Sequence, residues 1–266
     1  MSSETTGALY DALCGFETRL RGGGAYPVHK SLRFVGRGLV DIYDWIASEI
    51  ELPAGGDILD AGCGVGFGTA RLATLSGSCV TGISVSAQEI EQARRNASRS
   101  SCAAQLTFLQ RSYDHLPGSA FDLVVAVESL KHSTDLAASL RSILCSIKPG
   151  GQLVVVEDVV VDREQAEAQQ RLAEAWSLVR LYDELDYREA LGSVLCRIVD
   201  LSAAVPRRGS LAIGMKLAAV RGLLALPFHR TGRALEAFRG GLYMDRLYRS
   251  GAMAYKVFVC RLDGLR

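Results

Sequence analysis

The stretch Asp57-Ile-Leu-Asp-Ala-Gly-Cys-Gly-Val-Gly-Phe-Gly68 decides the fold of this chain. An apolar run typical of a buried strand ends at Asp60, and a helical pattern begins at Thr69. Three alternating glycines lie between them: Gly62, Gly64 and Gly66. A strand, a glycine turn and a helix start form a ligand crevice at the carboxyl edge of a parallel sheet. Glycine suits such a turn because the backbone takes unusual angles and a ligand approaches closely.

The spacing of these glycines departs from the dinucleotide fingerprint G-x-G-x-x-G. That template requires its third glycine where this chain has Phe67 or Thr69. The pattern D-x-G-x-G-x-G instead resembles the first motif of the class I S-adenosyl-L-methionine-dependent methyltransferases. The resemblance implies that the turn runs under the methionine part of S-adenosylmethionine, with Asp60 near its amino group. The alternative is a helix-packing turn that binds no ligand.

Length and composition favour one α/β domain with an added subdomain, or at most two small domains, in 266 residues. The net charge of +1 argues against a nucleic-acid partner. Seven cysteines are dispersed without a C-x-x-C pair, which is typical of reduced thiols in the cytosol. No secretory signal and no apolar run of about 18 residues stands out, so we expect a cytoplasmic protein without stable membrane insertion.

Residues 1–50 precede the first strand of the sheet and are interpreted as an N-terminal helical lid. Helical spacing covers 9–20 and 39–50. Between these helices lies a basic segment with the candidate acceptor-binding residues Tyr26, His29, Lys30 and Arg33. Its cations could hold a phosphate or carboxylate of an acceptor. The alternative is an ordinary solvated basic face.

The end of the second strand is non-acidic. Most class I methyltransferases have an acid there that holds the ribose hydroxyls, whereas this chain has Ser84. The segment Gly82-Ile-Ser-Val-Ser86 is similar to the G-I-[ST]-x-S form of the tocopherol and rebeccamycin sugar methyltransferases, and sterol methyltransferases are also non-acidic here. The resemblance implies ribose contacts from Ser84, with Gln88 or Glu89 as further candidates. Ser86 and Glu89 are predicted to form a capping box at the start of the next helix.

The adenine end of the cofactor site is expected after the third strand. Relatives carry an acid there that accepts a hydrogen bond from the adenine amino group. The aligned residue is Ser112, and Asp114 follows two places later. Either side chain offers the single acceptor that adenine needs, so both are candidates. The alternative for Asp114 is a surface turn residue.

The strand pattern predicts a doubly wound, seven-stranded Rossmann-like methyltransferase sheet with N-terminal helices and an inserted helical cap. The predicted strands are 57–60, 79–83, 106–110, 121–127, 152–157, 195–201 and 252–261. The resemblance implies that the last two close the sheet as an antiparallel pair. We expect helices over 69–75, 86–98, 136–147, 210–228 and 233–239. The predicted divisions are a lid (1–50), an S-adenosylmethionine-binding core (51–160), a cap with strand six (161–250) and the final strand (251–266).

The candidate chemistry lies beyond the fourth strand. The stretch from residue 126 to His132 resembles the A-x-E-S-x-x-H stretch of the rebeccamycin sugar O-methyltransferase, and sterol C-methyltransferases have a similar E-x-x-x-H. His132 is the candidate base because its usual pKa lies near neutrality. In the sugar enzyme two adjacent histidines and an acid after strand five assist deprotonation. This chain has Lys131 at the first histidine, and Asp158 or Glu157 for the acid. Glu128 could bind the sulfonium or stabilise a cation formed on an alkene acceptor.

The sequence therefore favours an S-adenosylmethionine-dependent methyltransferase of a small, lipophilic natural-product or isoprenoid-type acceptor, with methylation of carbon preferred. O-methylation of a sugar or phenol is the alternative, and a non-catalytic cofactor-binding scaffold is a third interpretation. No acid cluster suited to a divalent metal follows the fifth strand, so no metal is expected. The basic region 207–249 could touch a membrane surface or a second copy of the chain, so a homo-oligomer stays open.

Overall fold

A computed structural model describes residues 6–11, 13–14, 29–207, 215–216, 219–220 and 232–262. Its strands are β1 (Leu32–Phe34), β2 (Gly38–Val40), β3 (Asp57–Ala61), β4 (Cys79–Ser84), β5 (Leu106–Gln110), β6 (Phe121–Val127), β7 (Ile147–Val160), β8 (Leu195–Asp200) and β9 (Met253–Arg261). The α-helices described over their full length are α1 (Ile42–Glu49), α2 (Phe67–Ser76), α3 (Ala87–Ala97), α4 (Leu136–Ser146), α5 (Ala166–Ala175), α6 (Glu184–Leu191) and α7 (Gly232–Ser250).

Seven strands form one mixed sheet in the order β5-β4-β3-β6-β7-β9-β8. The first five of these strands are parallel to one another, and β9 runs antiparallel to both β7 and β8. The chain reverses its direction of winding between β3 and β6, and ligands bind at the carboxyl ends of strands at such a switch point. The predicted fold class is confirmed.

Alternation along the central strands divides the core between the two faces of the sheet. Ile58 packs into the cluster beneath α1, α2, α5 and α7, whereas Leu59 points into the cluster beneath α4 and α6. A smaller cluster joins Ile90 of α3 to Phe108 of β5. Because both faces are covered at the centre of the sheet, β6 is apolar except for Asp122.

Several predicted boundaries are corrected. The segment expected to be a helical lid contains the hairpin β1–β2, and the helix expected from residue 39 begins at Ile42 with Asp41 as its N-cap. Helix α4 ends at Ser146, and β7 begins at residue 147 rather than 152. The helix expected over 233–239 continues to residue 250 as α7. Most of the helix expected over 210–228 lies outside the described residues.

Cys196 and Cys260 correct the prediction that all cysteines are reduced. They stand directly opposite each other in β8 and β9, and their sulfurs are bonded as a disulfide. The two residues are 64 positions apart in the chain, so their spacing in the sequence did not reveal the pairing. The five other cysteines are not disulfide-bonded.

The described helices of the predicted cap pack in two places. Helices α5 and α7 pack together, and the indole N–H of Trp176, just after α5, donates to the carbonyl of Ala237 in α7 at 2.8 Å. Helix α6 instead packs against α4, with Tyr187 fully buried there. Over the residues described, no helix combines the length and apolar character that crossing a bilayer requires.

Candidate active site

A cavity of about 650 Å³ lies at the carboxyl ends of β3, β4 and β6. The glycine turn forms part of its wall, and the turn after β6 forms another part. N-terminal helical residues and two aromatic residues of the predicted cap also line it: Thr6, Leu9, Tyr10, Leu13, Cys14, Trp176 and Phe238. The cavity therefore joins the predicted cofactor crevice to the predicted acceptor side.

The glycine turn requires glycine at the positions that the sequence singled out. All three glycines have positive φ: 98° at Gly62, 51° at Gly64 and 84° at Gly66. A Cβ atom at Gly62 would lie 2.4 Å from the Cβ of Ser129. Gly62 and Gly64 line the cavity, whereas Gly66 is the N-cap of α2 and packs against Phe108.

Asp60 is turned away from the cavity. Its side chain is fully buried, and its carboxylate accepts hydrogen bonds from the hydroxyls of Tyr43 at 3.2 Å and Thr69 at 2.7 Å. Burial raises the pKa of Asp60 to about 6, although these two hydrogen bonds oppose that rise. Asp60 does not line the cavity, so its described contacts join α1 and α2 to the sheet below the turn.

The ribose candidates form a connected set. The Ser84 hydroxyl donates to Glu89 Oε2 at 2.7 Å, and both side chains line the cavity. The Ser86 hydroxyl accepts from the Glu89 N–H at 3.1 Å, as an N-cap should. The second hydrogen bond of a capping box would run from the Ser86 N–H to the Glu89 side chain, but the Ser86 N–H donates to the Ser84 hydroxyl instead. Glu89 thereby places a carboxylate near the position where relatives have an acid.

Ser112 and Asp114, the candidates for the adenine end, both line the cavity. The Ser112 hydroxyl donates to Asp114 Oδ2 at 2.7 Å, and the Ser139 hydroxyl donates to the other carboxylate oxygen. Each carboxylate oxygen can accept a further hydrogen bond, so Asp114 retains acceptor capacity.

Two lysines and two carboxylates form what we call the charged cluster: Lys30, Glu128, Lys131 and Asp158. The Lys30 ammonium lies 2.8 Å from Asp158 Oδ2 and 3.1 Å from Glu128 Oε2. The Lys131 ammonium lies 3.0 Å and 3.4 Å from the same two atoms. Burial alone would raise the pKa of Glu128, but the two ammonium groups outweigh it and hold that pKa well below its usual range. The cluster therefore combines two ammonium groups with two carboxylates.

Only part of the charged cluster reaches the cavity. Glu128 and Lys131 line it, whereas Asp158 lies behind them with a side-chain exposure of 1%. Tyr248 donates to Asp158, and Tyr255 donates to Glu128 Oε1 at 3.0 Å. Asp158 is therefore placed to anchor the two lysines rather than to touch a ligand directly.

The residues of the predicted acceptor-binding segment lie in different surroundings in the structure. His29 lines the cavity, and its Nε2 lies 2.8 Å from Asp41. Lys30 is held by the charged cluster, and Arg33 is exposed on β1 away from the cavity. Tyr26 lies outside the described residues. The structure thus places one of the three described candidates at the cavity wall.

His132 lines the cavity and pairs with Tyr10, which the sequence did not single out. The Tyr10 hydroxyl and His132 Nε2 are 2.6 Å apart. Burial and the charge of Lys131 lower the pKa of His132 to about 3, so the imidazole is neutral. Burial also raises the pKa of Tyr10, so the phenol keeps its proton and donates to Nε2. This assigns the ring proton to Nδ1, which is buried with no hydrogen-bond partner in the described part of the chain.

The N-terminal helical residues are fixed over the cavity by a second contact. Asp11 accepts from the Ser86 hydroxyl and from the Gln88 N–H, both at the start of α3. A carboxylate is favourable at a helix N-terminus. Across the cavity, the Lys131 ammonium lies 5.0 Å from the centre of the Trp176 ring. The sequence signals for these residues were weak, namely one acid in a predicted helix and one of two tryptophans.

Comparison with known proteins agrees with this geometry. A family described as "Methyltransferase domain" matches residues 53–193, more than half of the chain. The O-methyltransferase cnsE of Penicillium expansum is 41% identical over 113 residues, which are 41% of this chain and 41% of that protein. The sterol 24-C-methyltransferase erg6 of Aspergillus fumigatus is 30% identical over 120 residues, which are 44% of this chain and 32% of that protein.

The fold is also found among solved structures. The [4+2]-cyclase SpnF has a TM-score of 0.76 at 23% identity, over 98% of this chain and 96% of that one. The chain spans about half the length, or less, of the curated relatives it matches. With a family match over residues 53–193 and the glycine turn, sheet order and cavity in place, the chain belongs to the methyltransferase domain family.

Proposed function

We propose that the protein is an S-adenosylmethionine-dependent methyltransferase of a small, lipophilic acceptor of natural-product or isoprenoid type. The cavity carries this proposal, because it has a glycine turn in one wall and Lys131, His132 and Trp176 in the others. Its volume of about 650 Å³ lies within the range of small-molecule sites. The family match supports the same activity.

The residues fit this cofactor. Gly62 and Gly64 present backbone without side chains to the cavity. Ser84 and Glu89 offer a hydroxyl and a carboxylate to ribose hydroxyls, and Asp114 offers an acceptor to an adenine amino group. S-adenosylmethionine would supply a sulfonium methyl group that a nucleophile held in line at about 3 Å attacks, with S-adenosylhomocysteine as the leaving group. The chain's part is to hold the acceptor there, exclude water and receive a proton.

The state of His132 favours a carbon acceptor. A base with a pKa near 3 is weak, so it removes a hydroxyl proton poorly. A proton next to a carbocation is far more acidic, and a weak base suffices for it. The Tyr10 oxygen could accept such a proton while the Tyr10 hydroxyl proton moves along the existing hydrogen bond to Nε2 of His132. Aromatic side chains that line the cavity, including Tyr113 and Trp176, could stabilise the cation.

Lys131 supports the alternative of an oxygen acceptor. Its ammonium lines the cavity and favours an acceptor that is already anionic, such as a phenolate. Lys30 and Lys131 also offset the charge of Glu128, which reduces the help that this carboxylate alone gives to a carbocation. The O-methyltransferase relative is consistent with this second candidate.

The first experiment is calorimetry with S-adenosylmethionine and with S-adenosylhomocysteine, and the absence of heat with both would overturn the proposal. The second transfers a labelled methyl group to a panel of prenyl, phenolic and sugar acceptors. Label that survives ether cleavage by boron tribromide lies on carbon, and label that is released lies on oxygen. Cofactor binding without transfer to any member of a broad panel would favour the non-catalytic scaffold.

The acceptor site is proposed to be the wall formed by His29, Lys131, His132 and Trp176, without Arg33. We also propose that the partner is a small molecule and that the protein acts in the cytoplasm without inserting in a membrane. Fractionation of producing cells tests the location.

A further inference from the structure

Glu157 is a buried acid that the proposed chemistry does not use. It lies on β7 behind the single helical turn Leu130–His132, which carries Lys131 and His132. Its Oε1 accepts the backbone N–H of Leu130 at 2.5 Å and that of Lys131 at 3.3 Å. These are N–H groups at the start of the turn, which have no acceptor within it. Glu157 thus caps this turn from the side of the sheet.

The position of Glu157 excludes direct contact with an acceptor in this arrangement. Its side chain is fully buried, and it does not line the cavity. Its second oxygen, Oε2, is buried with no hydrogen-bond partner among the residues described. A carboxylate held only by two amides of one turn acts on the site through that turn.

We propose that Glu157 is a positioning residue: its ionised carboxylate holds the turn Leu130–His132 so that Lys131 and His132 face the cavity, and its protonation loosens the turn. This inference rests on the proposed function, because the turn matters only if the cavity performs the chemistry. Charge-assisted hydrogen bonds are roughly twice as strong as neutral ones, so loss of the charge weakens the hold on both amides.

The electrostatic surroundings place this change near neutral pH. Burial raises the pKa of Glu157 to about 7, and the charge of Lys131 opposes the rise. The carboxylate is therefore ionised and holds the turn above this pH, and it becomes protonated as the pH falls below it. The titratable groups that face it from the surrounding elements are Lys131, Asp158, Glu128, Tyr10, Tyr113, Tyr187 and Tyr248.

The test follows the Leu130 and Lys131 amide resonances by ¹⁵N–¹H NMR between pH 5 and pH 9. In the unchanged protein both resonances should move with a midpoint near pH 7. The Glu157→Gln variant keeps an acceptor oxygen without the charge, so the movement should vanish while the fold is retained. The matched control is Asp60→Asn, a buried acid with a raised pKa that is bound to the hydroxyls of Tyr43 and Thr69 and not to these amides, so the movement should persist.

Hydrogen exchange supplies a second measurement. Exchange of the Leu130 amide should become about tenfold faster or more in Glu157→Ala, and Glu157→Gln should restore most of the protection. Amide resonances that do not titrate in the unchanged protein, or that titrate equally in Glu157→Gln, would overturn the inference. Calorimetry with S-adenosylhomocysteine on the same samples tests the proposed function separately, because cofactor binding does not depend on the titration of Glu157.

Discussion

The Gly62→Ala substitution tests the glycine turn most directly. The new Cβ would lie 2.4 Å from the Cβ of Ser129, and Ser129 is held by the 2.7 Å hydrogen bond from its hydroxyl to the Ala61 carbonyl. A non-glycine residue at a φ of 98° adds backbone strain. We estimate strain of about 2 kcal/mol and overpacking of about 2 kcal/mol, so the free energy of unfolding should fall by about 4 kcal/mol.

Gly77→Ala is the matched control for backbone strain. Gly77 also has a positive φ, 69°, but a Cβ atom there would have no neighbour within 4 Å. Its replacement should lower the free energy of unfolding by only about 1 kcal/mol. In a Ser129→Gly background, which lacks the clashing Cβ, Gly62→Ala should cost only the strain of about 2 kcal/mol.

Urea unfolding followed by circular dichroism measures these free energies, with the slope m checked for a change in the denatured state. Calorimetry with S-adenosylhomocysteine should show binding in Gly77→Ala and little or none in Gly62→Ala. The reasoning is refuted if Gly62→Ala is destabilised no more than Gly77→Ala, or if it binds the ligand normally.

Four further substitutions test the environment of single side chains. His132→Asn should lower turnover about a hundredfold or more, and Tyr10→Phe should lower it about tenfold. Both variants should bind S-adenosylhomocysteine with nearly unchanged affinity. A loss of affinity equal to the loss of turnover would point to a structural role. Lys30→Met leaves Glu128 with one ammonium partner instead of two, so urea unfolding should show a loss of about 2–3 kcal/mol, and an unchanged value would contradict the charged cluster. Burial raises the pKa of Asp60 to about 6, so the protonated side chain stabilises the folded state below about pH 4 and this stabilisation is lost as the pH rises through 6. The difference in the free energy of unfolding amounts to roughly 3 kcal/mol. Asp60→Asn should abolish this pH dependence of unfolding.

The strands could be predicted because their sequence pattern is continuous. The run Phe121–Val127 is almost entirely apolar, and β6 has these bounds in the structure. The hairpin β1–β2 could not be predicted in this way, because each strand has only three residues and alternation needs more. The disulfide between Cys196 and Cys260 was missed for another reason: it depends on the register of β8 against β9.

The candidate site was predicted in part. Strand order brings the residues that follow β3, β4, β5 and β6 to one edge, so Gly62, Ser84, Ser112 and Glu128 meet at the cavity as expected. The direction of each side chain was harder to predict. Asp60 also ends a strand at this edge, but hydrogen bonds from hydroxyls on two neighbouring helices keep it inside the protein. Tyr43 is distant from Asp60 in the sequence, and threonine is a common residue, so the sequence pattern did not indicate that Tyr43 and Thr69 would bind Asp60.

The protonation behaviour of the site depends on neighbours more than on residue type. Histidine usually titrates near neutrality, yet burial and the adjacent Lys131 charge remove His132 from that range. Glutamate usually titrates well below neutrality, yet burial brings Glu157 close to it. A step near pH 7 in the rate of methyl transfer would ordinarily be assigned to the histidine. In this protein we expect such a step to come from Glu157 and to be absent in Glu157→Gln, because His132 stays neutral on both sides of it.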